Sequence, residues 1–425
     1  MEGHQEPSTQ GGPALKRQSF HWAWVILGTC FLDLFVNYSA RLGYGVVLPE
    51  IIKDLDLSRT ASGSIFNAYL FAYIALTPLT GYLTDRLGAR RIITACAFIL
   101  ATGLFFMGRS HSLWTVLLSY AVVGLGATGM WTPVITVVQR WFAPHRRGLA
   151  LGILSTGYGL GFATMGAAFP WIVSHFTWRH AWYFLAAGAL GMVFLNGGLL
   201  RSSPEAAGAV PWGLKDIGIP LTTGGSKRKI PLRKVFRHRN FWLIGWSYFC
   251  ASYGLYGITT FMVDYAKDQL GLPLEKASLL ATVHGSCQVI GVLTMLPLSD
   301  YLGRRRTIII SNSMIAASLA GILLSGPSWQ WLYLFVGAMA VFYGVTFPIY
   351  GASAGDYFPK EYMGSVIGMW TPFYGLGAIV ANWVTGFLRD TTGRYNAAFV
   401  ICTLAAILAV ALVWFVRRPV TGETD

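Results

Sequence analysis

The fold of this chain is decided by two short stretches, GYLTDRLGARR at residues 81–91 and LPLSDYLGRRR at residues 296–306. Both contain the string Asp-x-Leu-Gly-x-Arg-Arg, which begins at Asp85 and again 215 residues later at Asp300. Each copy follows a long apolar segment, so a polar, doubly basic loop occurs once in each half of a hydrophobic chain. This repetition indicates a membrane protein that is built from two related halves.

The composition also places the chain in a lipid bilayer. Of the 425 residues, 54% are hydrophobic and 12% are charged, and the mean hydropathy is +0.52. Soluble globular proteins carry about 25% charged residues, so this chain has too little polar surface for a soluble protein of its size. The net charge of +14 does not indicate nucleic-acid binding, because the basic residues lie in short loops beside apolar segments and form no continuous patch. We therefore expect no nucleic-acid partner.

The sequence contains no pattern typical of an enzyme, a cofactor site or a metal site. It has neither a phosphate-binding P-loop nor a HExxH zinc motif, and no nucleophile is paired with a base. Its five cysteines are scattered singly in apolar segments, so they are expected to be packing residues. The polar first 20 residues lack the apolar core of a signal peptide. We predict a protein without enzymatic activity, cofactor or bound metal.

Segments of about 20 or more apolar residues, the length that a helix needs to cross the hydrocarbon core, follow one another along the chain. Because backbone amides must be satisfied within a bilayer, such segments are expected to be helices. Pro133 and Pro372 are expected to interrupt two of them. The prediction is an all-α membrane protein with twelve transmembrane helices in two six-helix halves, at residues 22–50, 60–84, 91–108, 112–139, 147–173, 179–200, 240–266, 274–299, 307–325, 329–356, 362–388 and 395–416.

The positions of Lys and Arg predict the orientation. Most of the 32 such residues lie in the terminal tails and in the loops after even-numbered spans, and loops rich in Lys and Arg remain cytoplasmic. Both termini are therefore expected to be cytoplasmic in a multi-pass protein of the cell membrane. The expected organisation is an N-terminal tail, an N-terminal half, a basic cytoplasmic linker, a C-terminal half and a C-terminal tail, at residues 1–21, 22–200, 201–239, 240–416 and 417–425.

A second repeat relates span 5 to span 11. Gly148, Gly152 and the string YGLG at residues 158–161 recur with the same spacing within residues 364–377. The two halves are therefore predicted to be parallel repeats. Transporters of this architecture place the substrate site near mid-membrane between the halves.

With these motifs, the chain resembles the transporters of the major facilitator superfamily over residues 20–418. The resemblance implies that the charges of the repeated loop pair with the ends of neighbouring helices and stabilise one side of an alternating-access cycle. The alternative is that these charges only set the topology. The residues that match the superfamily signature after the second helix, and its weaker copy after the eighth, are Gly81, Asp85, Arg86, Gly88, Arg90 and Arg91, and Asp300, Gly303, Arg304, Arg305 and Arg306.

Three stretches resemble narrower groups of that superfamily that carry organic anions. Residues 141–161 (WFAPHRRGLALGILSTGYGLG) and 386–399 (GFLRDTTGRYNAAF) are similar to monocarboxylate porters and oxalate:formate antiporters. Residues 36–51 (VNYSARLGYGVVLPEI) resemble the first helix of anion:cation symporters, with its Asn-Tyr-x-x-Arg pattern.

The chain departs from these groups at residues with known roles. Val292 stands where monocarboxylate porters generally have an anion-binding Arg, and Gln288 stands where many of them have a proton-carrying Asp. Ala40 replaces the Asp that usually precedes Arg in the symporter motif. Proton coupling through either group's usual carboxylate is therefore not expected.

Arg41 is the clearest candidate for a functional residue. A guanidinium inside a membrane span costs at least about 2.5 kcal/mol unless it faces the protein interior or water. Asp33, Asn37 and Arg41 are spaced four residues apart, which places them on one helix face with Tyr44 further along it. Because the planar donors of Arg41 match a carboxylate, we predict that it binds the substrate. The alternative is a structural ion pair with an acidic residue of a neighbouring helix.

Asp33 and His284 are candidates for proton coupling, since buried carboxylates and imidazoles often titrate where protons move. His284 is alternatively an anion donor or a packed hydrogen-bonding residue. Asp264 and Asp268, near the outer end of span 7, are expected to be gates or solvated ends. Other amide and aromatic side chains are expected to complete a substrate pocket: Asn67, Tyr69, Trp131, Tyr158, Tyr253, Tyr256, Gln288, Trp370, Tyr374 and Asn382.

The sequence therefore predicts a secondary transporter of a small organic anion, with a monocarboxylate favoured. Transport would proceed by proton symport or anion exchange in a monomer, with Arg41 on the carboxylate and the two halves closing over it in turn. The aromatic content, including 16 Trp, leaves an efflux pump for drugs or metabolites as an alternative. A sensor that binds an anion without transporting it is a third alternative.

Overall fold

The computed structural model describes residues 21–213, 235–326, 328–358 and 363–417 of the chain. These residues are mostly helical, as expected for long segments whose backbone groups must be satisfied within the segment. We number the longer helices in chain order: α1 Trp22–Leu55, α2 Arg59–Leu87, α3 Ala89–Gly108, α4 Leu113–Ala127, α5 Thr132–Trp141, α6 Arg147–His175, α7 Trp178–Leu199, α8 Arg239–Thr259, α9 Leu274–Leu302, α10 Arg304–Leu324, α11 Trp329–Tyr357, α12 Met363–Thr392 and α13 Asn396–Trp414.

Nine helical segments in the described part of the chain are long and apolar enough to cross a membrane. They comprise α1, α3, α7, α9, α10, α11 and α13, the segment Leu113–Trp141 and the segment Pro144–His175. The prediction of an all-α membrane protein is thereby confirmed. The three other predicted spans correspond to α2, α8 and α12, and their crossing of the membrane remains a prediction.

Two predicted spans differ from single helices. Span 112–139 is divided by a 3-10 turn at Thr128–Met130, and Pro133 lies in the first turn of α5, where its missing N–H is not needed. The predicted interruption at Pro133 is confirmed, whereas Pro372 lies inside helix α12. The sequence alone did not distinguish these two outcomes, because both prolines follow the same residues, GMWT.

The predicted helix at residues 240–266 is wrong in its last part. Helix α8 ends at Thr259, and a single turn, Met262–Asp264, then leads into a five-residue π-helix, Tyr265–Gln269. Short π-helical turns are rare and often occur at functional sites. This one presents charged side chains to other helices, as described below.

The repeated loop has the same backbone in both copies. Gly88 separates α2 from α3 with φ 86°, and Gly303 separates α9 from α10 with φ 83°. A side chain at such positive φ is strained, whereas glycine adopts it readily. The repetition in the sequence is therefore a repetition of a tight turn between two helices. We call the end of the bundle that carries Gly88 and Gly303 the motif end.

Helices α6 and α9 bring the N-terminal and C-terminal sets of helices into direct contact. A Cβ atom built on Gly159 would lie 2.7 Å from the carbonyl oxygen of Gly285, and one built on Gly285 would lie 2.3 Å from that of Gly159. Such contacts require that neither residue has a side chain. Small residues at this crossing are what allow two membrane helices to pack backbone against backbone.

The end opposite the motif end, which we call the closed end, is joined by polar contacts between α1–α7 and α8–α13. Arg59 at the start of α2 pairs with Asp264 at 3.2 Å and with Asp268 at 3.1 Å. Glu50 pairs with Lys267 of the π-helix. The start of α2 is thus fixed to the segment that follows α8.

Candidate functional site

Arg41 lies in the middle of α1 with its guanidinium inside the bundle. The residue is 7% exposed. Its Nη2 donates a hydrogen bond of 2.6 Å to the hydroxyl oxygen of Tyr256 in α8, so it connects the N-terminal and C-terminal helices. Its Nε has no acceptor, and none of the ion pairs formed by the described residues includes Arg41. The predicted alternative of an ion pair with a neighbouring acidic residue is therefore not what the structure contains.

Four tyrosines surround the guanidinium. Its central carbon lies between 5.6 and 5.7 Å from the ring centroids of Tyr38, Tyr69, Tyr73 and Tyr256. Each ring face attracts a cation by roughly 0.5–2 kcal/mol, so the four rings partly replace the water that Arg41 has lost. They supply no negative charge at neutral pH, and the site as a whole remains positive.

Local sequence explains how the four rings converge. Tyr38 precedes Arg41 by three residues on the same face of α1, and Tyr69 and Tyr73 are one turn apart on α2 with stacked rings. Tyr69 and Tyr256 were predicted as pocket residues, and Tyr38 entered the prediction only as the Tyr of the Asn-Tyr-x-x-Arg pattern, whereas Tyr73 was not predicted. The one-turn spacing of Tyr69 and Tyr73 was a visible signal, yet the same spacing is typical of an ordinary packed helix face.

On the side toward the motif end, aromatic rings cover the Arg41 site. Trp131 lies at the break between α4 and α5, with its ring 6.3 Å from Tyr38 and 5.5 Å from Phe347 of α11. Tyr158 lies 5.2 Å from Tyr38 and donates a hydrogen bond of 3.1 Å to the carbonyl of Gly344. The predicted pocket residues Trp131 and Tyr158 thus lie near Arg41. Phe347 also lies there, although it was not predicted as a pocket residue.

The predicted polar face of α1 is buried along its whole length. Asp33 is 1% exposed, and its Oδ1 accepts a hydrogen bond of 2.8 Å from Asn196 of α7. Its Oδ2 has no partner within the described structure, and neither has the side-chain oxygen of Asn37. Tyr44 does not complete this face, because its hydroxyl donates to the backbone oxygen of Ser62.

His284 and Gln288 form a second buried polar pair, one turn apart on α9. Neither ring nitrogen of His284 has a hydrogen-bond partner among the described residues, and the same holds for Oε1 of Gln288. The imidazole packs edge-on against Phe162 of α6 and Tyr343 of α11. Neutral imidazole has a donor and an acceptor, so this position leaves both without a protein partner.

The structure brings Tyr374 near the site but places Trp370 elsewhere. The ring of Tyr374 lies 5.8 Å from that of Tyr256. Trp370 donates from Nε1 to the carbonyl of Phe241 and stacks on the ring of that residue, in a separate core between α8 and α12. Its N–H is therefore not available to a substrate at Arg41.

The closed end is completed by Asp390, which lies beyond the predicted span 362–388. Its carboxylate accepts hydrogen bonds of 2.8 Å from the backbone N–H groups of Arg59 and Thr60, and one of 2.6 Å from the Thr60 hydroxyl. Burial by itself raises the pKa of Asp390, but these hydrogen bonds outweigh burial and hold the pKa below its usual value. Asp390 thereby caps α2 from the opposite set of helices.

The signature residues at the motif end contact their own half. Arg90 donates to the carbonyl of Gly197 at the end of α7, and Arg304 pairs with Asp300 one turn earlier. Arg86 lies over the ring of Tyr82. In the second copy, Arg305 donates to the last carbonyls of α13. The predicted contact of these charges with the ends of neighbouring helices is present for Arg90 and Arg305.

Comparison with known proteins places the chain among membrane transporters. The sequence profile of the Major Facilitator Superfamily matches residues 30–296 and 244–425. A probable sulfoacetate transporter of Cupriavidus necator is 25% identical over 89% of this chain and 90% of its own. A hexuronate transporter of Bacillus subtilis is 23% identical over 92% of this chain and 94% of its own.

Two further matches extend this result. Monocarboxylate transporter 11 of Mus musculus is 25% identical over 90% of this chain and 84% of its own. The crystal structure of a bacterial homolog of the human lysosomal transporter Spinster, in an inward-facing and occupied conformation, has a TM-score of 0.73 to this structure. That likeness covers 93% of this chain and 97% of the other at 15% sequence identity, and it shows that the two proteins share a fold.

Proposed function

Because the chain belongs to the Major Facilitator Superfamily and is a membrane transporter and not an enzyme, we propose that it is a secondary transporter of a small organic anion. In this proposal, Arg41 binds the carboxylate of the substrate. The relatives described above are named as a probable sulfoacetate transporter, a hexuronate transporter and a monocarboxylate transporter, which supports the choice of an organic anion.

The observation that carries this proposal is that Arg41 is buried and has no partner of opposite charge among the described residues. A buried cation without a counter-ion is costly, and an anion from outside the chain would remove that cost. A carboxylate has two oxygens that match two N–H groups of the guanidinium, and Nε is free to donate. The hydroxyl of Tyr69, which has no partner in the described structure, adds a further donor beside Arg41.

We also propose a substrate class, a coupling mode and a motion of the two halves for the transport cycle. The substrate is a monocarboxylate or a related small acid, which moves by proton symport or anion exchange while the two six-helix halves of a monomer rock over Arg41. With both termini in the cytoplasm, the closed end faces outward. The ion pairs of Arg59 and Lys267 at that end then belong to an inward-facing state.

The experiment is a thermal-shift panel on purified protein, with lactate, sulfoacetate, glucuronate and glucarate as probes. The anion that raises the melting temperature most is then tested for uptake into proteoliposomes. An anion at about 100 times its Kd stabilises the folded protein by about 2.7 kcal/mol, which is readily measured.

Arg41→Ala should abolish both the thermal shift and the uptake, while the ligand-free protein still folds. Arg41→Lys should lose most of each, since an ammonium keeps the charge but not the planar pair of donors. Arg109→Ala is the matched control, because Arg109 is exposed just after the end of α3 and lies over the ring of Phe105, far from Arg41 in the sequence. Carboxylate binding that is unchanged in Arg41→Ala contradicts the proposal.

A further inference from the structure

Asp33 of α1 and Asn196 of α7 form a buried polar pair that is separate from the Arg41 site. The two residues are 1% and 0% exposed. Asn196 donates from Nδ2 to Oδ1 of Asp33 at 2.8 Å. Oδ2 of Asp33 and Oδ1 of Asn196 both lack a hydrogen-bond partner in the part of the chain that the structure describes. The two unpaired oxygens thus belong to the two side chains that this hydrogen bond joins.

Among the residues that the structure describes, no charged group compensates the Asp33 carboxylate. Cys30, one turn earlier on α1, is the titratable side chain that interacts with it, and Asn196 is the polar group that faces it from α7. The other elements that pack against α1, which are α2, α3, α5, α6 and the turns Thr128–Met130 and Met262–Asp264, bring no charged side chain to Asp33 among the described residues. An ionised carboxylate in this position would be buried without a partner of opposite charge, which is strongly unfavourable.

A single proton removes this problem. A proton bound to Oδ2 of Asp33 creates an O–H donor. The amide oxygen of Asn196, which lacks a donor in the described structure, can accept a hydrogen bond from it. An amide and a protonated carboxyl group can then form two antiparallel hydrogen bonds. One runs from the N–H of Asn196 to Oδ1 of Asp33, and the other runs from the O–H of Asp33 to Oδ1 of Asn196. A metal cation fits less well, because the N–H of Asn196 points at the carboxylate and because no group of three His, Cys, Asp or Glu in the described chain could hold a metal.

We propose that Asp33 and Asn196 form the proton-binding site that couples transport to the pH gradient. This inference rests on the proposed function, and it replaces the coupling carboxylates that are absent at Ala40 and Gln288. In each cycle one proton adds to Oδ2 of Asp33 and later leaves from the same oxygen to solvent on the other side. Asn196 is a positioning residue that holds the carboxyl group and accepts from its O–H.

The distance between the two sites explains how proton and anion would influence each other. Asp33 and Arg41 are eight residues apart on one helix, or about 12 Å by rise. At that distance and an effective dielectric constant of about 20, the interaction energy of two unit charges is about 1.4 kcal/mol. This energy corresponds to about a tenfold change in a binding constant. Protonation of Asp33 removes a negative charge that repels the anion, so it should strengthen anion binding about tenfold, and the bound anion should strengthen proton binding equally.

The first test needs no substrate. An amide at position 33 can donate to Asn196 as the protonated acid does, so Asp33→Asn should fold and mimic the protonated state. The melting temperature of the ligand-free wild type should fall as the pH rises from about 5 to 8, because the folded protein holds a proton that the unfolded chain releases. In Asp33→Asn this fall should be absent. Asp54→Asn, which alters an exposed carboxylate paired with Arg179, should keep the wild-type profile.

Equal pH profiles for wild type and Asp33→Asn would overturn the inference. So would a melting temperature that rises with Na⁺ at constant pH in the wild type but not in Asp33→Asn, since the site would then bind Na⁺. Asn196→Ala should shift the pH response of the wild type without removing it, as expected for a residue that acts through Asp33.

The second test uses proteoliposomes and the anion that the thermal-shift panel identifies. A gradient of about one pH unit should drive about tenfold accumulation by wild type, if one proton moves with each monovalent anion. Asp33→Asn should accumulate nothing above equilibrium yet exchange internal for external anion at close to the wild-type rate. Exchange by wild type without any response to the pH gradient overturns this inference alone. If wild type shows no flux of any panel anion, the proposed function fails, and the melting profiles still decide whether Asp33 binds a proton.

Discussion

At the scale of single residues, the buried charges of this protein fall into two groups. Asp264 is buried at the closed end and has Arg59 as its partner at 3.2 Å. Arg41 and Asp33 are buried near the centre of the bundle and have no partner of opposite charge among the described residues. An unpaired buried charge destabilises the protein, so its presence is best explained by a ligand that neutralises it during the transport cycle.

Asp390 gives a prediction for pH dependence at this scale. Since hydrogen bonds from Arg59 and Thr60 lower its pKa in the folded state, it stabilises the protein at any pH above its unfolded value of about 3.9. This contribution is lost as the pH falls through the lower folded pKa. The melting temperature of Asp390→Asn should therefore lie below that of wild type by a constant amount above about pH 5, and the difference should shrink as the pH falls below about 3.9.

A difference between wild type and Asp390→Asn that changes between about pH 5 and pH 8 would contradict this assignment. Asp390 therefore should not contribute to any pH dependence near neutrality. Such dependence would have to come from another group, and Asp33 is the one we propose.

At the scale of helices, the crossing of α6 and α9 determines how closely the two sets of helices approach. We predict that Gly159→Ala lowers the melting temperature, because the new methyl group would lie 2.7 Å from both the Gly285 carbonyl oxygen and a methyl group of Val289. Overpacking of this kind typically costs about 1–3 kcal/mol. Gly152→Ala is the matched control on the same helix, since a Cβ atom there has nothing within 4 Å.

The two alanine variants are compared by thermal unfolding in the same detergent. Alanine has the higher helix propensity, so Gly152→Ala should be neutral or slightly stabilising. An equal effect of the two substitutions would show that α6 and α9 do not pack this closely in the protein. The sequence indicated the glycines of α6 as a repeat, but it gave no means to tell Gly152 from Gly159.

At the scale of the whole molecule, we expect the ion pairs of the closed end to stabilise one of the two states of the proposed transport cycle. We predict that Arg59→Gln shifts the protein toward a state that is open at this end, because it removes the ion-pair partner of Asp264 and leaves that carboxylate buried without a counter-charge, whereas Asp268 keeps its ion pair with Arg389. A change of about 1.4 kcal/mol moves a two-state equilibrium tenfold, and the loss of a buried partner should reach at least that.

This shift is measured by the rate at which a single cysteine, placed at Thr260 near the closed end in a variant without the native cysteines, reacts with a water-soluble thiol reagent. The rate should rise at least about tenfold in Arg59→Gln. Arg179→Gln is the control, because its ion pair with Asp54 lies within the N-terminal helices and should not affect the equilibrium. Unchanged labelling in Arg59→Gln would mean that these ion pairs do not hold the end closed.

The class of protein, the approximate helices, the superfamily and the unusual charges of α1 could all be predicted from the amino-acid sequence. These follow from properties of consecutive residues. A long run of apolar side chains must be helical in a bilayer. Gly88 and Gly303 allow the positive φ of the tight turns, and a charged residue such as Arg41 is easily recognised within an apolar span. The end of span 7 could not be predicted in this way, because its contacts with α1 and α2 come from residues about 200 positions away.

Which side chains meet became clear from the packing of the helices. Among the described residues, Arg41 is surrounded by tyrosines and not by a carboxylate, Asp33 faces Asn196, and Trp370 belongs to a different core. The physical reason is that the face a helix turns inward depends on how its neighbours pack, and an apolar face can either be buried against another helix or meet lipid. The sequence identified the charges, and the packing of distant helices determined whether each one has a partner.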